Sequence, residues 1–240
     1  MRKNLRKPAP HNLIRTFSKL GVCSRKQALA YVQDGRVAVN GVTVTDPGRA
    51  VRPHDKISLD GQPAKAKPKR YFLFHKPAGC VTTRHDEKGR KTIYHWLGDL
   101  GDWAFPVGRL DQDSEGLLIL TNDTVFSHRL TEPEFQVPRT YEIWIRGQLT
   151  QADQREIAHG MDIGRGEHTR PARLKVLKSA LPVSHLEITL TEGKNREVRR
   201  MFESLGKPVM RLLRIRFGAF SLGTLPPGAW REIPLSPNGG

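Results

Sequence analysis

Cysteine is almost missing from this 240-residue chain. Only Cys23 and Cys80 occur, far apart and with no paired spacing, so a disulfide framework is excluded and a reducing cytoplasm is the expected compartment. The nine histidines are scattered, with no H-E-x-x-H and no Cys/His cluster, so no zinc site is expected. No apolar run reaches membrane-spanning length and no signal-peptide pattern is present, which predicts a soluble, non-secreted protein with no membrane partner. A P-loop and a GxGxxG fingerprint are absent too, so nothing in the chain asks for a nucleotide or dinucleotide cofactor. There is no internal repeat and no low-complexity tract.

Acidic residues are also in short supply. Forty Lys and Arg face 24 Asp and Glu, a net charge of +16, which points to a polyanionic partner. The excess is uneven. Residues 1–70 carry 16 basic residues and only four acids, Asp34, Asp46, Asp55 and Asp60, while the other 170 residues are nearly balanced. The front of the chain is therefore the electrostatic handle, and the remainder has the size and balance of an enzyme domain.

MRKNLRKPAP, residues 1–10, is a basic tail able to lie along phosphates. HNLIRTFSKLG then predicts a short helix with Leu13, Ile14, Phe17 and Leu20 on one side and Arg15 and Lys19 on another. Ser24 with Gln27 three residues on is a capping box opening a second helix, which stops at Asp34-Gly35. RVAVNGVTV places β-branched runs around Asn40-Gly41, the signature of a type I′ hairpin. This stretch, with SRKQA opening its second helix, GRVAVNG and then DKISLDG, resembles the S4 RNA-binding domain. The predicted unit is 11–61, with Arg15, Lys19, Arg25 and Lys26 as RNA contacts; Arg25 and Lys26 open a helix whose free N–H groups also attract phosphate.

DGQPAKAKPKR is rich in Pro, Ala and Lys without apolar period, so 62–69 reads as a linker. From 70 to 236 the chain alternates strands (YFLFHK, GLLILT, TYEIWIRG, HLEITLTEG) with helical stretches near 92–98, 124–130, 151–159 and 195–205. The expected class is α+β: a small S4-like domain followed by a larger, mixed, mainly antiparallel-sheet domain.

Three places in this second domain combine polar residues with special backbone. The first is GRLDQDSEGLLILTND, where Asp111, Asp113 and Glu115 followed by Gly116 imitate the start of an EF-hand loop. The imitation fails at the ninth and twelfth positions, occupied by Ile119 and Asn122, and Pro106 and Gly108 preclude a preceding helix. What survives is a Gly-rich bend leading acids into a buried strand; Asp113 and Ser114 read as turn residues. The second is RTYEIWIRG, where Tyr141 shares a strand face with Ile143 and Ile145 and is either a core aromatic or a ring for stacking on a base. The third is TEGKNREVRRMFESLG, where Val198, Met201, Phe202 and Leu205 form an apolar helical stripe. Arg196, Arg199 and Arg200 form a basic face, either solvated and steadied by Glu203 or directed at a ligand.

In this order, YFLFHKPAG, FPVGRLDQDSEGLLILTND, RTYEIWIRG and LTEGKNREVRRMFESLGKPVMRLLRIRFG closely resemble the successive motifs of bacterial ribosomal RNA pseudouridine synthases that begin with an S4 domain. The resemblance spans residues 12 to about 235. It implies that Asp111 is the essential carboxylate, as nucleophile at C1′ or base at C2′. It implies that Tyr141 stacks on the target uracil and that Arg199 pairs with Asp111 and holds it ionised. Arg109 would displace the base or hold the backbone, and Lys76, Arg196 and Arg200 would join it in contacting RNA, Lys76-Pro77 supporting the pocket. His75 departs from the family, which more often has Asn there, and is expected to tune the pocket. No metal and no cofactor are implied, because the isomerisation breaks and remakes a glycosidic bond without redox chemistry.

The expected partner is ribosomal RNA or a pre-ribosomal subunit, bound by a monomer. KNREVRRM, DEKGRKT and GRLDQDSEGLL favour the large-subunit branch, with the small-subunit branch as the alternative. The competing reading from another class is a non-catalytic RNA-binding or ribosome-assembly factor, which would have no need to keep Asp111, Tyr141 and Arg199 together.

Overall fold

A computed structural model describes residues 11–100 and 103–234. The basic tail expected at 1–10 and the last two residues of the 70–236 domain lie outside the described residues. By internal contacts the chain divides into two compact units, one built mainly from the first seventy residues and one from most of the remainder.

In the first unit the helix Leu13–Lys19 starts on Asn12, whose side chain accepts from the Arg15 amide at 2.9 Å. Ser24 and Gln27 form the reciprocal capping box of the helix Arg25–Gln33. Asn40 and Gly41 both adopt positive φ, 53° and 82°, the combination a type I′ turn requires between Val37–Val39 and Val42–Thr43. Leu13, Phe17, Ala28, Val32, Val37 and Val39 make the core. The four-stranded sheet runs Val42–Thr43, Val37–Val39, Ile57–Leu59, Gln62–Pro63. Gln62 and Pro63, expected at the head of the linker, are thus an edge strand paired with Leu59 and Ser58. An edge is where proline's missing N–H is tolerated, so its presence does not end the sheet.

The second unit is a mixed sheet with the main path Arg173–Lys178, Val183–Leu190, Arg139–Arg146, Val209–Phe217, Glu115–Thr121, Tyr71–Lys76, Trp230–Glu232. Along that path every pairing is antiparallel except the one between Val209–Phe217 and Glu115–Thr121. Phe72, Leu73 and Phe74 and the run Leu117–Leu120 are buried on both faces of their strands, which explains their unbroken apolar sequences. Ile143, Ile145, Leu186 and Ile188 continue the core across the central strands, and Val198, Met201 and Phe202 are the buried side of the helix Glu197–Ser204. Thr150 and Asp153 cap the helix Gln151–His159.

The parallel step pairs Gly116 with Arg214. Gly116 has φ of 107°, and a β-carbon there would run into the backbone N, C and O of Arg214. Only glycine allows that approach. Gly116→Ala is expected to lower the unfolding free energy by about 3 kcal/mol or more, read by urea denaturation.

Candidate active site

The acidic bend is built by its contacts with the segment that follows the strand Tyr71–Lys76. Thr82 clamps the residue before Asp111, its hydroxyl donating to the Leu110 carbonyl at 2.7 Å and accepting from the Leu110 amide at 3.2 Å. The Gly79 amide donates to the Gln112 carbonyl at 2.7 Å. Lys76 is fully buried, and its ammonium donates to the carbonyls of Ser114 at 2.7 Å and Pro77 at 3.1 Å. The Ser114 amide closes the turn on the Asp111 carbonyl at 3.1 Å. Burial pulls the Lys76 pKa down, and Cys80, Asp111, Asp113 and Glu115 act against that pull. Lys76 is therefore an internal fastener under the bend and not the RNA contact expected of it.

Tyr141 sits directly opposite Arg214 on one neighbouring strand and Ile188 on the other, and is 9% exposed. It lines a cavity of about 430 Å³ together with Asp111, Arg109, Arg196, Arg199 and Arg214. The bend, the aromatic strand and the arginine helix do meet in one place. A wider groove of about 1240 Å³ shares Arg109, Asp111 and Arg196 and extends along Thr82–Arg90. Its outer wall contains a carboxylate–guanidinium pair, Asp86 with Arg90, in which the Arg90 hydrogen bonds hold the Asp86 pKa down at about 2.

The pairing within the cavity differs from expectation. Arg199 faces Asp113: its Nε lies 3.1 Å from the Asp113 carboxylate and its Nη2 donates to the Asp113 carbonyl at 2.8 Å. Its remaining arm donates to the Val209 carbonyl. The cation nearest Asp111 is Arg196, at 3.9 Å, which also reaches Asp113 at 3.3 Å. Asp111 itself keeps 37% of its side-chain surface, so it is open to a ligand and not sealed in a buried pair. The reason is the tightness of the turn, which puts Asp113, read from sequence as an ordinary turn residue, against the helix. Arg196 holds a left-handed backbone, φ 50°, as the residue before the helix, a conformation that costs a non-glycine residue about 1 kcal/mol.

Two more expectations fail on burial. Arg200 is 8% exposed; it is ion-paired with Glu167 and donates to the carbonyls of Ile163, Gly164 and Asn195, so it fastens the 163–167 loop and has no face for RNA. His75 does not line the cavity: its Nδ1 meets the Leu225 carbonyl at 2.7 Å and its backbone pairs with Gly228 and Ala229. It anchors the C-terminal segment instead of tuning the pocket. By contrast Arg109 and Arg196 are exposed, as are Arg15, Arg25 and Lys26 in the first unit, with Lys19 half-buried.

Sequence reasoning missed Thr82, Glu192, Glu197 and Arg214. Glu197 is 4% exposed and faces the cavity beside Glu192, with the Lys194 amide donating to its Oε2 at 2.9 Å. Burial, and then the neighbouring Glu192, push the Glu197 carboxyl up to about 7. Glu192 moves the other way: against its burial, Lys194 and the Arg170 amide hold it below its ordinary range.

Comparison with known proteins places the whole chain in a family. The RNA pseudouridylate synthase family model matches residues 70–204, and the S4 domain model matches 17–66. The chain is 37% identical over 220 residues to an uncharacterized RNA pseudouridine synthase of Aquifex aeolicus, covering 90% of this chain and 88% of that one. It is 34% identical over 223 residues to the ribosomal large subunit pseudouridine synthase B of Bacillus subtilis, covering 92% and 91%. A crystal structure of a pseudouridylate synthase superimposes with a TM-score of 0.67 at 28% identity, covering 93% of this chain and 96% of that one.

The folded chain binds the Glu197 proton more tightly than the unfolded chain does. The contribution of Glu197 to stability is therefore full below its ordinary value of 4.5 and falls as pH rises through about 7. Glu197→Gln removes that loss, so the variant's stability relative to the parent should climb across this window, measured by urea denaturation at a series of pH values. A flat difference would contradict the raised carboxyl.

Proposed function

Because the chain belongs to the RNA pseudouridylate synthase family and carries an S4 domain, we propose that it isomerises uridine to pseudouridine in ribosomal RNA, that of the large subunit. The observation that carries the reading is the meeting of Asp111, the Tyr141 ring and five arginines around one cavity. The substrate branch is supported by the likeness to the large-subunit synthase of Bacillus subtilis.

Asp111 supplies the ionised carboxylate beside the ribose. It either attacks C1′ or takes the C2′ proton, and in both cases the C1′–N1 bond breaks with its electron pair going to the uracil. Tyr141 provides the ring on which the extruded base stacks, which offsets a few kcal/mol of lost stacking in the RNA. Arg199 acts on Asp111 through the bend, by fixing Asp113, and Arg196 supplies the nearer positive charge. Arg109 and Arg196 line the wide groove where the flanking phosphates run. Arg15, Lys19, Arg25 and Lys26 on the S4 unit add affinity that carries no base information. The protein works as a monomer in the cytoplasm on RNA or on an assembling subunit; no described helix is long and apolar enough to cross a membrane.

Ribosomal RNA tritiated at uracil C5 should lose tritium to water with the wild-type protein. Asp111→Asn should abolish the release, and Arg199→Ala should cut it by about a hundredfold or more, the scale on which removing an electrostatic partner slows a catalytic site. An Asp111→Asn variant that still released tritium would refute the assignment. Arg25→Ala/Lys26→Ala should weaken RNA binding and flatten its dependence on salt by about one unit of log–log slope for each phosphate no longer neutralised. An unchanged slope would remove the pair from the RNA interface.

A further inference from the structure

Five buried side-chain polar atoms have no hydrogen-bond partner among the described residues: His75 Nε2, Ser114 Oγ, Glu197 Oε1, Arg199 Nε and Arg214 Nη2. All but the first belong to residues lining the 430 Å³ cavity. Buried polar atoms are normally satisfied, so exceptions gathered around one cavity point to groups available to a ligand, Glu197 aside, whose raised carboxyl hydrogen-bonds the neighbouring Glu192. Arg199 Nε at least has the Asp113 carboxylate beside it, out of line for a hydrogen bond.

Arg214 has no such compensation. It is 2% exposed, its Nε donates to the Leu117 carbonyl at 2.7 Å, and its guanidinium lies 4.9 Å from the centre of the Phe217 ring. Among the described residues no carboxylate forms an ion pair with it. Arg139, also buried and lining the same cavity, shows the contrast, because its guanidinium is engaged by the carbonyls of Leu130, Val137 and Glu192. A buried, unpaired cation with an unused N–H is costly, and that cost is recovered when negative charge arrives beside it. A backbone phosphate is a poor candidate: Arg214 is inside, while Arg109 and Arg196 hold the rim. What does enter is the base that stacks on Tyr141, the cross-strand neighbour of Arg214.

We propose that Arg214 is a further catalytic residue, donating from Nη2 to a carbonyl oxygen of the uracil as it leaves C1′. This rests on the isomerisation proposed above. The pair of the C1′–N1 bond passes to the uracil, and the resulting negative charge spreads from N1 onto the ring's carbonyl oxygens. The ring then presents C5, whose electrons form the new bond to C1′. The C5 proton departs and N1 gains one, so the product is an isomer with no net gain or loss of electrons or atoms. Because the charge is absent from bound uridine and present once the bond has broken, a donor at this position favours the transition state over the ground state. Gly116 contributes indirectly: the close backbone approach it permits brings the strand bearing Arg214 against the strand that leaves the Asp111 bend.

The test compares RNA carrying uridine or 5-fluorouridine at the target position, with glycosidic cleavage followed in single turnovers. Fluorine makes the departing ring a more stable anion, so it needs less help from the protein. Arg214→Met is expected to slow cleavage of the uridine RNA by about a hundred- to a thousandfold, with a clearly smaller loss on the fluorinated RNA. Arg214→Lys, which keeps the charge, should fall between. The ratio of the two rates within one preparation is independent of how much of a variant is folded. A ratio unchanged from wild type in both variants would overturn the proposal and leave Arg214 a packing residue. Wild-type protein inert towards uridine RNA would instead overturn the proposed function.

Discussion

The ammonium of Lys76 lies wholly inside the second unit, under a bend that contains Asp111, Asp113 and Glu115. A buried lysine is tolerable only where its hydrogens are accepted and negative charge is near, and the bend supplies both conditions. The acids in turn accept a fixed backbone path because the lysine holds the Ser114 carbonyl. Thr82 and Gly79 fasten the same path from the adjoining segment. The position of Asp111 is therefore set mainly through its neighbours in the bend, and its own carboxylate, with Arg196 3.9 Å away, stays open to a substrate.

Around that fixed point the arginines divide by the company they keep. Arg200 and Arg139 are consumed by carbonyls, with Arg200 also paired to Glu167; Arg200 ties a loop to the helix Glu197–Ser204 and Arg139 ties one to the sheet. Arg199 is shared between Asp113 and backbone, so it transmits position and charge to the bend. Arg109 and Arg196 are exposed at the mouth, and Arg214 is buried with one arm idle. One residue type thus serves as fastener, brace, rim and reserve. The guanidinium allows this because its five donors point in fixed and different directions.

Much of the architecture is legible in residue patterns. Asn40-Gly41, the Ser24–Gln27 capping box and the helices near 94–97, 124–131, 151–159 and 197–204 all rest on local chemistry, and local chemistry is what a sequence displays. The strand Val209–Phe217 is the significant omission: RLLRIRF lacks a clean alternation because one guanidinium, that of Arg214, is buried inside it while Arg211 and Arg216 are exposed. For the same reason Arg199 and Arg200 look like a solvated helix face until the carbonyls and acids that cover them, drawn from distant segments, are seen. The convergence of Asp111, Tyr141 and Arg199 is legible, while their pairing is not, because the helical spacing of Arg196 and Arg199 does not reveal which acid of a tight turn each one meets.

The parallel step on the main path of the sheet also sets an order of assembly. Glu115 and Gly116 find their partners, Leu213 and Arg214, only after roughly a hundred intervening residues have been made, and contacts that distant form slowly. The first unit needs nothing from that region for its core or its hairpin. During synthesis the S4 module can close while the second sheet still lacks its middle. The nascent chain would then hold a basic RNA-binding module before it holds a working pocket.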